Sequence, residues 1–203
     1  MRQVSAKIIG LTGQTGAGKT TVAKLFEENG FTIIDADQIS RQVTAAGSAC
    51  LDEIAAEFGN DLILANGELD RRALGDIVFR DPKKLHRLEA ITYPRITQEM
   101  EHQITVTARE GQKWILLDAP TLYESGADQF CDVVVGVTAP ETVRKKRIMT
   151  RDHLSESSAA ARIQAQHDEK YYRSKVDYLI DNSLSQDLLT KQVTEIIDQL
   201  KLF

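Results

Sequence analysis

The chain has 203 residues, 42% of them hydrophobic, and a formal net charge of −5. That length suits one core with insertions, and the mild acidity argues against a general nucleic-acid binder, which carries a basic excess. No apolar run approaches a membrane span, the N-terminus lacks a signal-peptide apolar region, and Cys50 and Cys131 stand in no ligand-like spacing, so a reduced, cytoplasmic protein without membrane contact is expected.

Lys7-Ile8-Ile9-Gly10-Leu11 reads as a buried strand. It leads into Gly13-Gln14-Thr15-Gly16-Ala17-Gly18-Lys19-Thr20, which fits G-x-x-x-x-G-K-[ST] at every fixed position. A helix with Val22, Leu25 and Phe26 on one face follows, and Gly30 stands where it would cap. Strand, glycine loop and helix are the context this motif requires. Glycines let successive N–H groups turn inward on a triphosphate, and the helix start adds its positive end. Gly13, Gly16, Ala17, Gly18, Lys19, Thr20 and Thr21 are therefore the candidate contacts to ATP. Lys19 would bridge the outer phosphates, and the Thr20 hydroxyl would ligate Mg²⁺.

Phe31 to Ile34 reads as a second strand ending in Asp35-Ala36-Asp37. Parallel strands deliver their last residues to the edge that carries the phosphate loop. The two aspartates can serve a proton or a metal there; alternatively Asp37 only caps a helix beginning at Gln38. Residues 39–110 show no core-type alternation and read as a helical insertion. It contains a small hairpin around Asn66-Gly67, a helix capped by Asp70, and another opened by Asp81-Pro82 and broken at Tyr93-Pro94. A longer helix then runs to Gly111. An insertion at this point overhangs the phosphate edge. Arg71, Arg72, His86, Arg87 and Arg95 can meet an anionic acceptor there, or be solvated surface charge.

Trp114 to Asp118 reads as the third strand, with Asp118 either a water-mediated Mg²⁺ ligand or a turn residue. Asp132 to Val137 reads as the fourth, valine-rich and covered on both faces. Thr138-Ala139-Pro140-Glu141 looks like a capping box. The helix after it carries Arg144, Arg147 and Arg151 at one-face spacing, either a lid closing over the phosphates or a solvated face. Ser155 can cap a next helix carrying Arg162, Gln164 and Gln166. Tyr178 to Asp181 reads as the fifth strand, with Asn182 after it as a base-reading amide or a plain turn. Ser185 caps a last helix with an apolar stripe that packs on the sheet.

Taken together, these stretches resemble the dephospho-CoA kinase family, within the nucleoside-monophosphate-kinase-like P-loop proteins. The resemblance rests on Gly13 to Thr21, Ile34 to Asp37 with Arg41, Leu69 to Leu74 with Val78-Phe79, and Leu88 to Pro94. It continues through Pro120 to Glu124, Arg147 with Arg151-Asp152, Arg162 to Gln166, and Asp177 to Ser183. It implies an α/β, three-layer P-loop fold with a five-stranded parallel sheet, a helical CoA-binding insertion and a helical lid. Residues 1–38, 111–140 and 171–203 would form the nucleotide-binding core, 39–110 the insertion and 141–170 the lid. The implied reaction is ATP-dependent phosphorylation of the ribose 3′-hydroxyl of dephospho-CoA. Asp37 would be the base or orienter of that hydroxyl. Lys19, Arg147 and Arg151 match phosphate-binding positions, Asn182 a position near the adenine, and Asp35, Asp37, Arg71 and Tyr93 the acceptor side. The chain departs from the usual family pattern in four places. The loop reads Gly-Gln-Thr-Gly-Ala-Gly-Lys-Thr, Tyr93-Pro94 replaces His-Pro, Pro-Thr-Leu-Tyr-Glu replaces Pro-Leu-Leu-Phe-Glu, and Ser183-Leu184 follow Asn182 where glycine is usual. Three rivals are another small-molecule kinase of the same fold, a nucleotide switch or ATPase, and a structural nucleotide binder that would tolerate loss of Asp37. A GTPase's Asn-Lys-x-Asp motif is absent from the sequence.

Overall fold

The structure, a computed structural model, describes residues 6–183 and 185–202; Leu184, one of the departures noted above, lies outside the described residues. Five parallel strands form its centre: β1 (Lys7–Gly13), β2 (Thr32–Asp35), β3 (Trp114–Asp118), β4 (Val133–Thr138) and β5 (Tyr178–Asp181), in the order β2-β3-β1-β4-β5. This is the five-stranded parallel sheet anticipated from the sequence. Its strands are apolar on both faces because helices cover both. One face carries Ile9, Leu11, Leu116, Val135, Val137 and Ile180 against α1 (Lys19–Glu28) and α9 (Gln186–Leu200). The other carries Ile34, Ile115, Leu117 and Val134 against α2 (Ala36–Val43) and the second half of α5 (Pro82–Arg109).

A separate apolar cluster lies in the insertion. Cys50, Leu51 and Ile54 of α3 (Ala49–Phe58) pack with Leu74 and Val78 of α4 (Arg71–Val78), and Leu85, Leu88 and Ile91 of α5 join them. Asp70 caps α4 and Asp81 caps α5, as the sequence indicates. The Asn66-Gly67 turn closes a single bridge between Ile63 and Leu69. A small cluster of Ile148, Ala159 and Ile163 holds α6 (Glu141–Asp152) to α7 (Glu156–Gln164), and α8 (Glu169–Lys175) leads back to β5.

Three local expectations are corrected. The helix after β2 begins at Ala36, not Gln38, because the Asp35 carboxylate caps it by accepting the N–H groups of Asp37 at 2.8 Å and Gln38 at 3.2 Å. The Thr138 capping box does not form: Thr138 is the last residue of β4, and α6 starts after Pro140 without a side-chain cap. Pro94 does not break the insertion's helix either, since α5 runs unbroken for 28 residues with Pro94 inside it. A proline there removes one donor and costs about 3 kcal/mol. Burial on both sides offsets that: Leu88 and Ile91 pack into the insertion's cluster, Ile96, Met100 and Ile104 beneath the sheet. Each such buried side chain contributes roughly 1.5–3 kcal/mol. The Arg95 guanidinium also donates to the Ile91 carbonyl at 2.7 Å.

Candidate active site

Strand register sets the geometry of the phosphate edge. Asp118 ends β3 directly opposite Leu11 of β1 and Asp35 of β2. Beyond Leu11 the chain continues through Gly13, whose position cannot hold a Cβ because the Val137 carbonyl of β4 occupies that space. Gly16 and Gly18 turn the loop with φ of 76° and 98°, a left-handed backbone that side chains strain. Lys19 then opens α1, with Thr20 exposed and Thr21 in its first turn.

The Lys19 ammonium donates to Asp118 Oδ1, with 16% and 10% of the two side chains exposed. Burial pushes the Asp118 carboxyl up from the usual carboxylate range. Lys19 pulls it back, and the charges of Asp35 and Asp37 push it up further. So the Lys19–Asp118 pair lies within the field of two further carboxylates, Asp35 and Asp37. Asp35 is committed to capping α2, while Asp37, in the first turn of that helix, is exposed. The edge presents hard oxygen donors, the Thr20 hydroxyl and the Asp118 carboxylate, which suit Mg²⁺ completed by phosphate oxygens. Among the described residues, no group of three or more His, Cys, Asp or Glu stands close enough to hold a metal by itself.

The α6 arginines divide their work. Arg144 turns inward, 6% exposed, and its Nε donates to the Ala139 carbonyl at 3.0 Å. Arg147 donates to three main-chain carbonyls: Gly16 at 3.4 Å, Ala17 at 3.2 Å and Asn182 at 3.1 Å. The buried Asn182 amide donates to the Ala17 carbonyl at 2.7 Å, and a Cβ on Gly18 would collide with it. Arg147 and Asn182 therefore grip the loop's main chain. Arg151 lies farther out, exposed, and forks onto Asp152 at 2.7 and 2.8 Å, with Arg162 donating to the same carboxylate. These pairs hold the Asp152 carboxyl below its ordinary value and raise Arg151.

On the insertion, Arg71 donates to the Thr44 hydroxyl at 2.6 Å; burial lowers its pKa and the Arg41 charge lowers it further. Tyr93 donates to Glu89 at 3.2 Å, and burial followed by the Glu89 charge raises its phenol. Arg95 pairs with Glu53 and Arg87 with Glu57 across the insertion's helices, while His86 stands exposed near Glu89. Arg95 and Arg87 tie α5 to α3, and the exposed His86 fits the solvated-charge reading.

Sequence reasoning passed over Gln14, Thr138 and Gln166 as a group. The buried Gln14 amide accepts from the Thr138 hydroxyl at 2.9 Å and donates to the His167 carbonyl at 3.3 Å. The Thr15 N–H donates to Gln166 Oε1 at 2.7 Å. The signal lay in a large polar side chain following Gly13 where little room exists.

The family model for dephospho-CoA kinase matches residues 7–187. Curated relatives named dephospho-CoA kinase include one from Bacillus licheniformis, 37% identical over 191 residues, covering 94% of this chain and 95% of that protein. Another, from Listeria innocua, is 38% identical and covers 95% and 96%. Among solved structures, TT1252 from Thermus thermophilus superposes with a TM-score of 0.79 at 30% identity, covering 96% of this chain and 98% of the other. A dephospho-CoA kinase from Campylobacter jejuni gives 0.71 at 27%, covering 97% and 98%. A shikimate kinase from Bacteroides thetaiotaomicron, at 15% identity and 0.57, covers 97% and 99% and shares the fold. With its phosphate loop, acidic strand ends and helical insertion matched along nearly its whole length, this chain belongs to the dephospho-CoA kinase family.

Proposed function

We propose that this chain transfers the terminal phosphoryl group of ATP to the 3′-hydroxyl of dephospho-CoA, giving CoA and ADP, the last step of coenzyme A biosynthesis. The observation that carries the reading is the meeting of Lys19, Asp35, Asp37 and Asp118 at the phosphate edge of a chain matched by the family over residues 7–187. The loop's N–H groups and Lys19 hold the phosphates, Lys19 exchanging Asp118 for phosphate oxygen. Mg²⁺, held by Thr20 and Asp118, would neutralise charge on the phosphates. Asp37 accepts or orients the acceptor proton; it is exposed at the edge and free of the capping duty that Asp35 performs. Transfer through a loose transition state asks little of the nucleophile and much of positioning and charge.

Residues 39–110 form the acceptor subdomain in this reading, which their own apolar cluster supports. Arg71, beside Arg41, offers cations to the acceptor's phosphates, and Tyr93 borders its site. Residues 141–170 are the lid. Arg151 is its exposed cation, Arg147 its root on the loop, and Asn182 borders the adenine end. The two free cysteines suit the reducing cytoplasm. The test is a coupled assay of ADP release with ATP and Mg²⁺, with and without dephospho-CoA, using AMP, UMP and shikimate as comparison acceptors. Release that requires dephospho-CoA and yields CoA is expected. Release driven by another acceptor, or by none, would overturn the reading.

A further inference from the structure

Both ends of the proposed lid are rooted on one short piece of chain. At the outgoing end, α6 presses against the phosphate loop: a Cβ on Gly16 would meet the Arg144 carbonyl at 2.8 Å and Ile148 Cγ1 at 3.0 Å. Arg147 adds its bonds to the carbonyls of Gly16 and Ala17. At the returning end, between α7 and α8, Gln166 accepts the Thr15 N–H at 2.7 Å and the His167 carbonyl accepts from Gln14 at 3.3 Å. Gln14 is 4% exposed, and its other amide atom is satisfied by the buried Thr138 hydroxyl. An amide so placed has one rotamer that serves both partners, and losing either bond leaves a buried polar atom unpaired. His167 in turn stacks on Tyr171 at 3.7 Å and lies 3.5 Å from Glu124, on the loop after β3.

We propose that Gln14 and Gln166 are positioning residues for phosphoryl transfer. They fasten the returning end of the lid to the phosphate loop, and so keep water from taking the place of the acceptor hydroxyl. Neither residue contacts the reacting atoms in this assignment; they act through the loop and the lid. The reaction they suppress is hydrolysis: a water oxygen bonds to the terminal phosphorus, the bond to ADP breaks, and inorganic phosphate and a proton are released. Closed sites limit that side reaction by excluding water. The inference rests on the phosphotransferase reading given above.

The test measures ADP released without CoA formed, as a fraction of total ADP, in the parent and in Gln166→Ala, Gln14→Leu and Gln166→Glu. In the first two variants the fraction is expected to rise about three- to tenfold, the size one lost hydrogen bond gives. Gln166→Glu keeps an acceptor oxygen for the Thr15 N–H and is expected to stay within about twofold of the parent. The KM for dephospho-CoA should hold throughout. Gln166 is only half-buried, so its variants decide the matter even if Gln14→Leu folds poorly. A parent that makes no CoA would overturn the underlying reading. A parent that makes CoA, with Gln166→Ala wasting no more ATP than it does, would overturn this inference alone. So would equal waste by Gln166→Ala and Gln166→Glu.

Discussion

Lys19 and Asp118 meet with little water around either, and each needs the other while no phosphate is present. Removing one partner of a buried pair leaves an uncompensated charge, at a cost of about 3 kcal/mol. Asp118→Ala is therefore expected to lower the urea midpoint of the free protein, and a saturating nucleotide should recover much of the loss by giving Lys19 phosphate oxygens instead. An equal loss with and without nucleotide would contradict that exchange. Asp37 belongs to chemistry in the proposed reading. Asp37→Asn should cut turnover by about 10²–10⁴-fold, the usual worth of general-base assistance, with ATP affinity nearly unchanged. A loss below about tenfold would remove it from that role. Lys19, Asp35, Asp37 and Asp118 could be found in the sequence because a motif or a strand end announces each. The grip of Arg147 and Asn182 on the loop could not, because it joins residues 35, 130 and 165 positions apart through main-chain carbonyls that carry no sequence signature.

At the scale of elements, the phosphate loop is held as tightly from behind as from its ends. Gly18 has a φ of 98° and abuts the Asn182 amide, so Gly18→Ala strains the backbone and displaces the amide bond to Ala17. Nucleotide affinity by calorimetry should fall more than tenfold, each tenfold being about 1.4 kcal/mol. An affinity within about twofold of the parent would show that the loop tolerates the shift. In α5, Pro94 leaves one carbonyl without its helical donor. Pro94→Ala should raise the denaturation midpoint, by about 1–3 kcal/mol of stability. An unchanged midpoint would mean that the helix has adapted fully to the ring. The strands and capped helices could be read locally, since Asp70, Asp81, Ser155 and Ser185 cap by their own side chains. The continuity of α5 could not, because two separate apolar clusters outweigh a local breaker, and only the fold brings those clusters to the same helix.

Taken whole, the molecule buries several groups that must stay protonated. Burial pushes the Cys131 thiol and the Tyr123 and Tyr172 phenols each up to about 12. Unfolded, they release their protons near about 8.5 and 10. The unfolded state thus loses protons first as pH rises, and stability falls from about pH 8.5 toward 12 while the native groups remain neutral. Urea midpoints measured across that window should decline steadily; a flat profile would mean that these groups are not protected by burial. Unlike the sheet, whose strands lie against helices on both faces, the insertion's cluster reaches it chiefly through α5. A helix of 28 residues is about 42 Å long, and Pro94 divides it between an arm in the insertion and a base beneath the sheet. The arm extends about 18 Å from that point. One missing backbone donor makes Pro94 the place where α5 resists bending least, and any bend there would be largest at the insertion's tip.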